Sequence, residues 1–215
     1  MAGVIDRLQA SPLFLGMSQH EMHGVVERTK FHFAKIDAGK FIARDSRPCQ
    51  SITILLSGEV AVSRESDDHQ YRLTEYIHAP ATLHVADIFG RSLRYTADYR
   101  SLTECSVVQI PRTDVMRLLD EQLIFRLNVI NIMALTYAKE TARPFKAIPD
   151  TLRQRIIRFI TDRCIWPTGT KVLSIKMSTL RGILSVGRDL LSAELNAMQR
   201  DGILQLSRGK ITIKL

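Results

Sequence analysis

The sequence predicts an α+β chain: an N-terminal antiparallel β-roll, a long helix, and a C-terminal helix-turn-helix with a trailing hairpin. Three observations carry this prediction. Short alternating segments separated by Gly-bearing turns fill about residues 29–112, the texture of a closed or rolled antiparallel sheet. From about 112 to 141 the apolar residues recur at helical spacing. The stretch from Ser178 to Gly202, STLRGILSVGRDLLSAELNAMQRDG, then holds two apolar stripes of period 3.6 around a three-residue interruption.

Residues 1–25 read as helical, with Leu8, Leu13, Phe14 and Leu15 around Pro12 and a second helix near Gln19–Arg28. The strand-like segments follow: FHFAKI, KFIA, SITILL, EVAVSRE, YRLTEYI, HVADIFG and SLTECSVVQI. Val115, Leu118, Leu119, Leu123, Leu127, Ile130, Met133, Ala134 and Tyr137 then supply one long apolar stripe. That helix must stop before Arg143-Pro144, because the residue preceding proline disfavours the α conformation. Leu123, Leu127, Ile130, Met133, Ala134 and Tyr137 are the residues expected to meet the same helix of a second copy. Ala147-Ile148-Pro149 leads into a further helix with Leu152, Ile156, Phe159 and Ile160, and KVLSIKM reads as a short strand. The expected organisation is a roll over 1–111, a dimerisation helix over 112–142 and a DNA-binding domain over 148–215.

In the C-terminal stretch, Leu180, Ile183 and Leu184 make the first apolar stripe, and Gly187 suits a bend. Leu191, Leu195 and Met198 line the second helix at i, i+4 and i+7. Its other face carries Arg188, Asp189, Ser192, Ala193 and Asn196. Such a face is thin enough to enter a major groove, where Arg can grip guanine and Asn adenine. Gly202 sits at a C-cap position. ILQLSRGKITIKL then forms a hairpin with Arg208 and Lys210 at its tip, a wing. Ser178 and Thr179, at the start of the first helix, join Arg188, Asp189, Ser192, Asn196, Arg208 and Lys210 as candidate DNA contacts.

Charge agrees. The chain has 30 Lys and Arg against 22 Asp and Glu, net +8. Residues 148–215 carry 12 basic and 5 acidic side chains, whereas the first 147 carry 18 and 17. A basic segment beside a neutral one is the footprint of a phosphate-binding module. No apolar run reaches membrane-spanning length, and the N-terminus lacks an apolar signal core, so a cytoplasmic protein with no membrane partner is expected. Cys49, Cys105 and Cys164 are isolated, without CxxC pairing. The six histidines show no HxH pair, and neither a Ser-His-Asp set nor a Gly-rich phosphate loop is present. A cupin-like metal enzyme therefore lacks its ligands, and no catalytic or metal site is expected. An RNA- or protein-binding adaptor is the other class that the composition allows.

The order of roll, long helix and winged helix-turn-helix resembles the CRP/FNR superfamily of bacterial transcription regulators across essentially the whole chain. The matching segments are SPLF, AGKFIARD, ITILLSGEVAVSRE, ADIFG, TECSVVQIPRTDVMRLL and SAELNAMQRDGIL. The resemblance implies a double-stranded β-helix of the cyclic-nucleotide-binding kind acting as a sensor. It also implies a homodimer, a palindromic promoter site on double-stranded DNA and RNA polymerase as a further partner. Carried onto this chain, Arg188, Asp189 and Ser192 fall on base-contacting positions. Ala193 stands where many members have arginine, and Ser185 where many have a turn glycine.

The same resemblance places the effector pocket at Gly90, Arg91, Tyr95, Thr96 and Arg100. Members that bind cyclic nucleotides carry glutamate after the Phe-Gly turn and an Arg-Ser or Arg-Thr pair before the last strands. Here Arg91 follows Gly90, and Tyr95-Thr96 occupies the second place. The expectation is no cAMP and an unidentified small-molecule effector. Iron-sulfur sensing lacks its N-terminal cysteines. For haem, His78, His84, Cys105 and Met133 are the candidate ligands. For thiol sensing, the candidates are Cys49 and Cys105.

Overall fold

The computed structural model describes residues 2–215. It divides into two units, Met1–Ala61 with Ile77–Glu140, and Val62–Tyr76 with Thr141–Leu215.

The first unit opens with α1 (Ala2–Gln9) and α2 (Gln19–Arg28). Ser18 and Glu21 form a capping box on α2: Ser18 Oγ accepts the Glu21 N–H at 3.2 Å, and the Glu21 carboxylate accepts the Ser18 N–H at 2.7 Å. Eight strands follow in this part of the chain: β1 (His32–Ile36), β2 (Phe41–Ala43), β3 (Ser51–Ser57), β4 (Glu59–Glu65), β5 (Tyr71–His78), β6 (Ala81–Leu83), β7 (Asp98–Ser101) and β8 (Cys105–Pro111). One antiparallel sheet runs β1-β8-β3-β6, while β2 pairs with β7 and β7 lies beside β4. The result is an antiparallel β-sandwich. Ile52 and Ile54 of β3, with Val108 and Ile110 of β8, face the N-terminal helices, where Leu8, Leu13, Phe14 and Met22 are fully buried. Gly58 joins β3 to β4 at φ +96°, and a Cβ there would meet the Glu104 carbonyl at 2.6 Å and Cys105 Sγ at 2.7 Å. Only glycine fits.

The structure corrects the sequence reading in three places. HVADIFG is not a strand: β6 stops at Leu83, and Val85–Ile88 form a 3₁₀ turn. SLTECSVVQI is two strands, because Leu102 to Glu104 turn between β7 and β8. The helix read over 112–141 is broken at Gln122 (φ −117°, ψ 100°) into α3 (Arg112–Glu121) and α4 (Leu123–Ala142). No Pro or Gly marks that break. Tertiary anchors oppose a single rod: Asn128 Nδ2 donates to the Leu13 and Leu15 carbonyls at 3.1 and 2.9 Å, and Phe125 packs on Phe14 with centroids 5.4 Å apart.

The second unit contains α5 (Leu152–Thr161), β9 (Thr170–Ile175), α6 (Met177–Leu184), α7 (Arg188–Arg200), β10 (Leu204–Ser207) and β11 (Lys210–Lys214). Its core joins Ile156 and Ile160 of α5 to Leu173, Leu180, Leu191, Leu195, Met198 and Ile213. Its sheet is β10-β11-β9-β5. The sequence reads β5 as a roll strand, yet it pairs with β9 in antiparallel register from Tyr71↔Ile175 to Glu75↔Lys171. No helix among the described residues is long and apolar enough to cross a membrane.

Candidate functional site

The candidate nucleic-acid surface is built by α6, α7 and the β10–β11 hairpin. α6 ends at Ser185, which takes the left-handed conformation (φ 50°, ψ 52°), while the Arg181 carbonyl accepts the Val186 N–H at 3.1 Å. A non-glycine residue there carries a strain of roughly 1–2 kcal/mol, and the Arg155 guanidinium donates to the carbonyl of the preceding Leu184. Gly187 then caps α7. α7 is held against α5 by Arg153, which reaches Glu194 at 2.8 Å and Asp201 at 2.7 Å. The two carboxylates raise the Arg153 pKa. With Leu191, Leu195 and Met198 fully buried, the orientation of α7 is set by packing on one side and by the arginine fork on the other.

The opposite face of α7 is free of that packing. Arg188, Asp189, Ala193 and Asn196 are exposed, and Ser192 is half-buried. Ser178 is exposed and Thr179 half-buried at the start of α6. Arg208 and Lys210 are exposed around Gly209 (φ 72°) at the hairpin tip. Every residue selected from sequence at this end therefore has surface to offer. One was missed: Leu190 is 60% exposed beside Arg188 and Asp189. It sits one residue before the buried Leu191, so the period already excluded it from the core. An exposed apolar side chain there suits a thymine methyl.

The residues expected to form the effector pocket are each engaged by a different neighbour or by solvent. Arg100 donates to the Gly39 carbonyl at 2.9 Å, and the neighbouring Arg94, outside that set, donates to the Ser46 carbonyl at 2.5 Å. Arg91 is exposed beside Gly90 (φ 80°). Thr96 is held by Asp87 through its hydroxyl at 2.9 Å and its N–H at 3.2 Å. Tyr95 is stitched through its backbone to Ser46 and Arg47, and its ring packs edge-on against His84 with centroids 4.8 Å apart.

His84 is the centre of a buried polar cluster instead. It is 7% exposed and left-handed (φ 46°), and Tyr99 packs on it at 5.2 Å. Its Nδ1 lies 3.9 Å from Cys49 Sγ, and its Nε2 has no hydrogen-bond partner. Thr53 Oγ1 is likewise unpaired, on the β3 residue opposite Leu83. Burial pushes the His84 pKa down to about 3. It also pushes the Cys49 thiol up to about 11 and the Tyr95 phenol up to about 12. All three groups are uncharged at neutral pH. Cys105 is fully buried under Gly58 and its pKa is likewise raised by burial, so neither candidate thiol is a poised thiolate.

The four candidate haem ligands are scattered. His84 is enclosed by tyrosines, His78 sits on the surface 3.2 Å from Glu59, Cys105 lies under Gly58 and Met133 is 39% exposed on α4. No group of three His, Cys, Asp or Glu that could hold a metal ion occurs among the described residues.

The sandwich with its helical flank is similar in fold to the antiparallel β-domain of cyclic-nucleotide-binding proteins. Residues 33–122 match the family model of the cyclic nucleotide-binding domain. Solved structures agree at the level of fold. The sensor domain of the transcriptional regulator DNR from Pseudomonas aeruginosa is 18% identical with a TM-score of 0.55, over 70% of this chain and 97% of that one. A protein described as a CRP/FNR-family transcriptional regulator from Eubacterium rectale is 18% identical with a TM-score of 0.53, over 95% and 94%. The catabolite activator protein of Thermus thermophilus is 16% identical with a TM-score of 0.50, over 94% and 93%. No curated protein sequence matches the chain.

Proposed function

We propose that the chain is a homodimeric, sequence-specific DNA-binding transcription regulator whose N-terminal unit senses a ligand other than cAMP. The observation that carries the reading is the face of α7: Asp189, Ala193 and Asn196 lie exposed at i, i+4 and i+7, opposite the buried Leu191, Leu195 and Met198, with Arg188 exposed at the start of the helix. Arg208 and Lys210 on the wing suit flanking phosphates. The stripe on α4 supports a second copy. Leu123, Leu127, Ile130, Met133 and Tyr137 are 59, 48, 52, 39 and 71% exposed, and Ala134 is exposed among them. Phe125 and Val129 bury the other side of the same helix. A palindrome reader needs two copies. Against cAMP stand Arg91 after Gly90, and the separate engagement of Arg94 and Arg100 on backbone carbonyls. The neutral polar groups around His84 suit an uncharged ligand better than a cyclic phosphate. A regulatory rather than enzymatic role, with RNA polymerase as a further partner, completes the reading.

Selection of duplexes from a random library at two salt concentrations tests it. The expected result is a palindromic consensus whose affinity falls as salt rises. Arg188→Ala should then weaken binding by about 1–3 kcal/mol and relax the preference at one base pair. Absence of any palindrome sinks the reading, whereas uniform weakening over all sequences makes Arg188 a phosphate contact.

A further inference from the structure

Two charged residues stand at apolar positions in neighbouring strands. Along β5 the buried residues are Leu73, Glu75 and Ile77, and along β9 they are Lys171, Leu173 and Ile175. Glu75 is 1% exposed and Lys171 is fully buried. Either charge alone would lose its hydration without return. The antiparallel register sets them directly opposite each other, with Nζ 2.8 Å from Oε1.

The pair is also completed by its surroundings. The Glu75 carboxylate accepts the Ile165 N–H at 2.8 Å, the Trp166 N–H at 3.1 Å and Arg64 Nη2 at 3.4 Å. Lys171 Nζ donates a second bond to the Thr168 carbonyl at 2.8 Å. Arg64 also donates to the Arg163 carbonyl. Arg163 in turn lies 3.7 Å over the Phe159 ring and donates to Tyr71 Oη at 2.9 Å. Charge, register and aromatic packing thus converge on one placement of residues 62–76.

We infer that the hairpin of residues 62–76 is a structural component of the unit that carries α6 and α7, and that Glu75 paired with Lys171 is the lock that fixes it there. The chain then passes between the two units three times, at 61/62, 76/77 and 140/141, rather than through the single linker before α5. β4 and β5 run unbroken through two of those crossings. β9, to which β5 is locked, ends one residue before α6 begins. A displacement of β4 or β5 in the first unit is therefore passed along continuous strands to the start of the reader helices. That regulatory consequence rests on the DNA-binding reading, and the lock itself does not.

Hydrogen exchange on the full chain tests the lock. Segment 71–75 should exchange at the same rate as 171–175, and Glu75→Gln should speed both by about tenfold or more while β8 stays unchanged. The Glu75→Gln/Lys171→Met double variant should recover part of that protection, since it leaves no buried charge. Exchange of 71–75 that tracks β8 in the unsubstituted protein, or indifference of 171–175 to Glu75→Gln, overturns the lock. Anisotropy with a duplex recovered from the library reads the consequence. A changed affinity in Glu75→Gln supports transmission, and an unchanged affinity despite lost protection overturns it. If the unsubstituted chain binds no duplex at all, the DNA reading fails, and the exchange data still judge the lock.

Discussion

Two buried polar clusters, one in each unit, are built in opposite ways. In the second, Glu75 and Lys171 are charged, opposed and supplied with partners on nearly every side. In the first, His84, Cys49 and Tyr95 are neutral, burial moving each pKa further from neutrality, and His84 Nε2 and Thr53 Oγ1 have no partner. A satisfied buried pair specifies one arrangement and resists change. An unsatisfied neutral cluster gains free energy from anything that fills it with matching hydrogen bonds. The contrast is one of rigidity: the charged pair fixes a single arrangement, while the cluster around His84 leaves hydrogen-bonding capacity unused.

The largest effect should come from breaking the charged pair on one side only. Lys171→Met leaves Glu75 buried without its counter-charge, and unfolding in denaturant should show a loss of about 3–5 kcal/mol. A loss below about 1 kcal/mol would mean that water reaches the pair and that the contrast with the first unit is false.

The second effect is a pH dependence of the neutral cluster. The His84 pKa is about 3 in the folded chain against 6.5 for the ordinary side chain. Between those values the unfolded chain binds a proton that the folded chain refuses. Stability contributed by neutral His84 is therefore full above pH 6.5 and lost as pH falls toward 3, by about 2 kcal/mol at pH 5. His84→Phe should flatten that slope in thermal melts of the first unit taken from pH 7 to 5. An unchanged slope would place the titrating group elsewhere.

The smallest effect belongs to an exposed, singly bonded cap in the second unit. Thr151 accepts the Gln154 N–H at 3.2 Å at the start of α5. Thr151→Ala should cost about 1 kcal/mol and leave the exchange of segment 71–75 unaltered. If it loosened that segment as much as Glu75→Gln does, the lock would not be local to the ion pair.

Local signals were legible and pairings were not. The stripe Leu191, Leu195, Met198 and the hairpin around Arg208-Gly209-Lys210 can be read directly, because helix and hairpin periods are written within a dozen residues. The strand-like look of HVADIFG misleads, because alternation over so few residues cannot distinguish a strand from the 3₁₀ turn into which Asp87 is tied by Thr96. The break at Gln122 is invisible because its cause, Asn128 reaching the Leu13 and Leu15 carbonyls, lies more than a hundred residues away along the chain. The engagement of Arg100 by the Gly39 carbonyl is equally unreadable, since its partner lies 61 residues away along the chain. The partner of β5 was the largest omission, yet a faint mark existed. Glu75 and Lys171 each share the parity of two apolar neighbours in their strands, and charges of opposite sign in such places need one another.

The separation between those two residues also bears on how the chain is made. Glu75 and Lys171 are 96 positions apart. At a synthesis rate of about 5–20 residues per second, Glu75 leaves the ribosome roughly 5–20 s before its counter-charge exists. In that interval β5 presents an unpaired edge, and the acidic residues of the hairpin (Glu65, Asp67, Asp68 and Glu75) help to keep it from joining a neighbouring nascent chain. Residues 62–76 are thus synthesised well before the strand that completes their sheet, and they settle only once it has emerged.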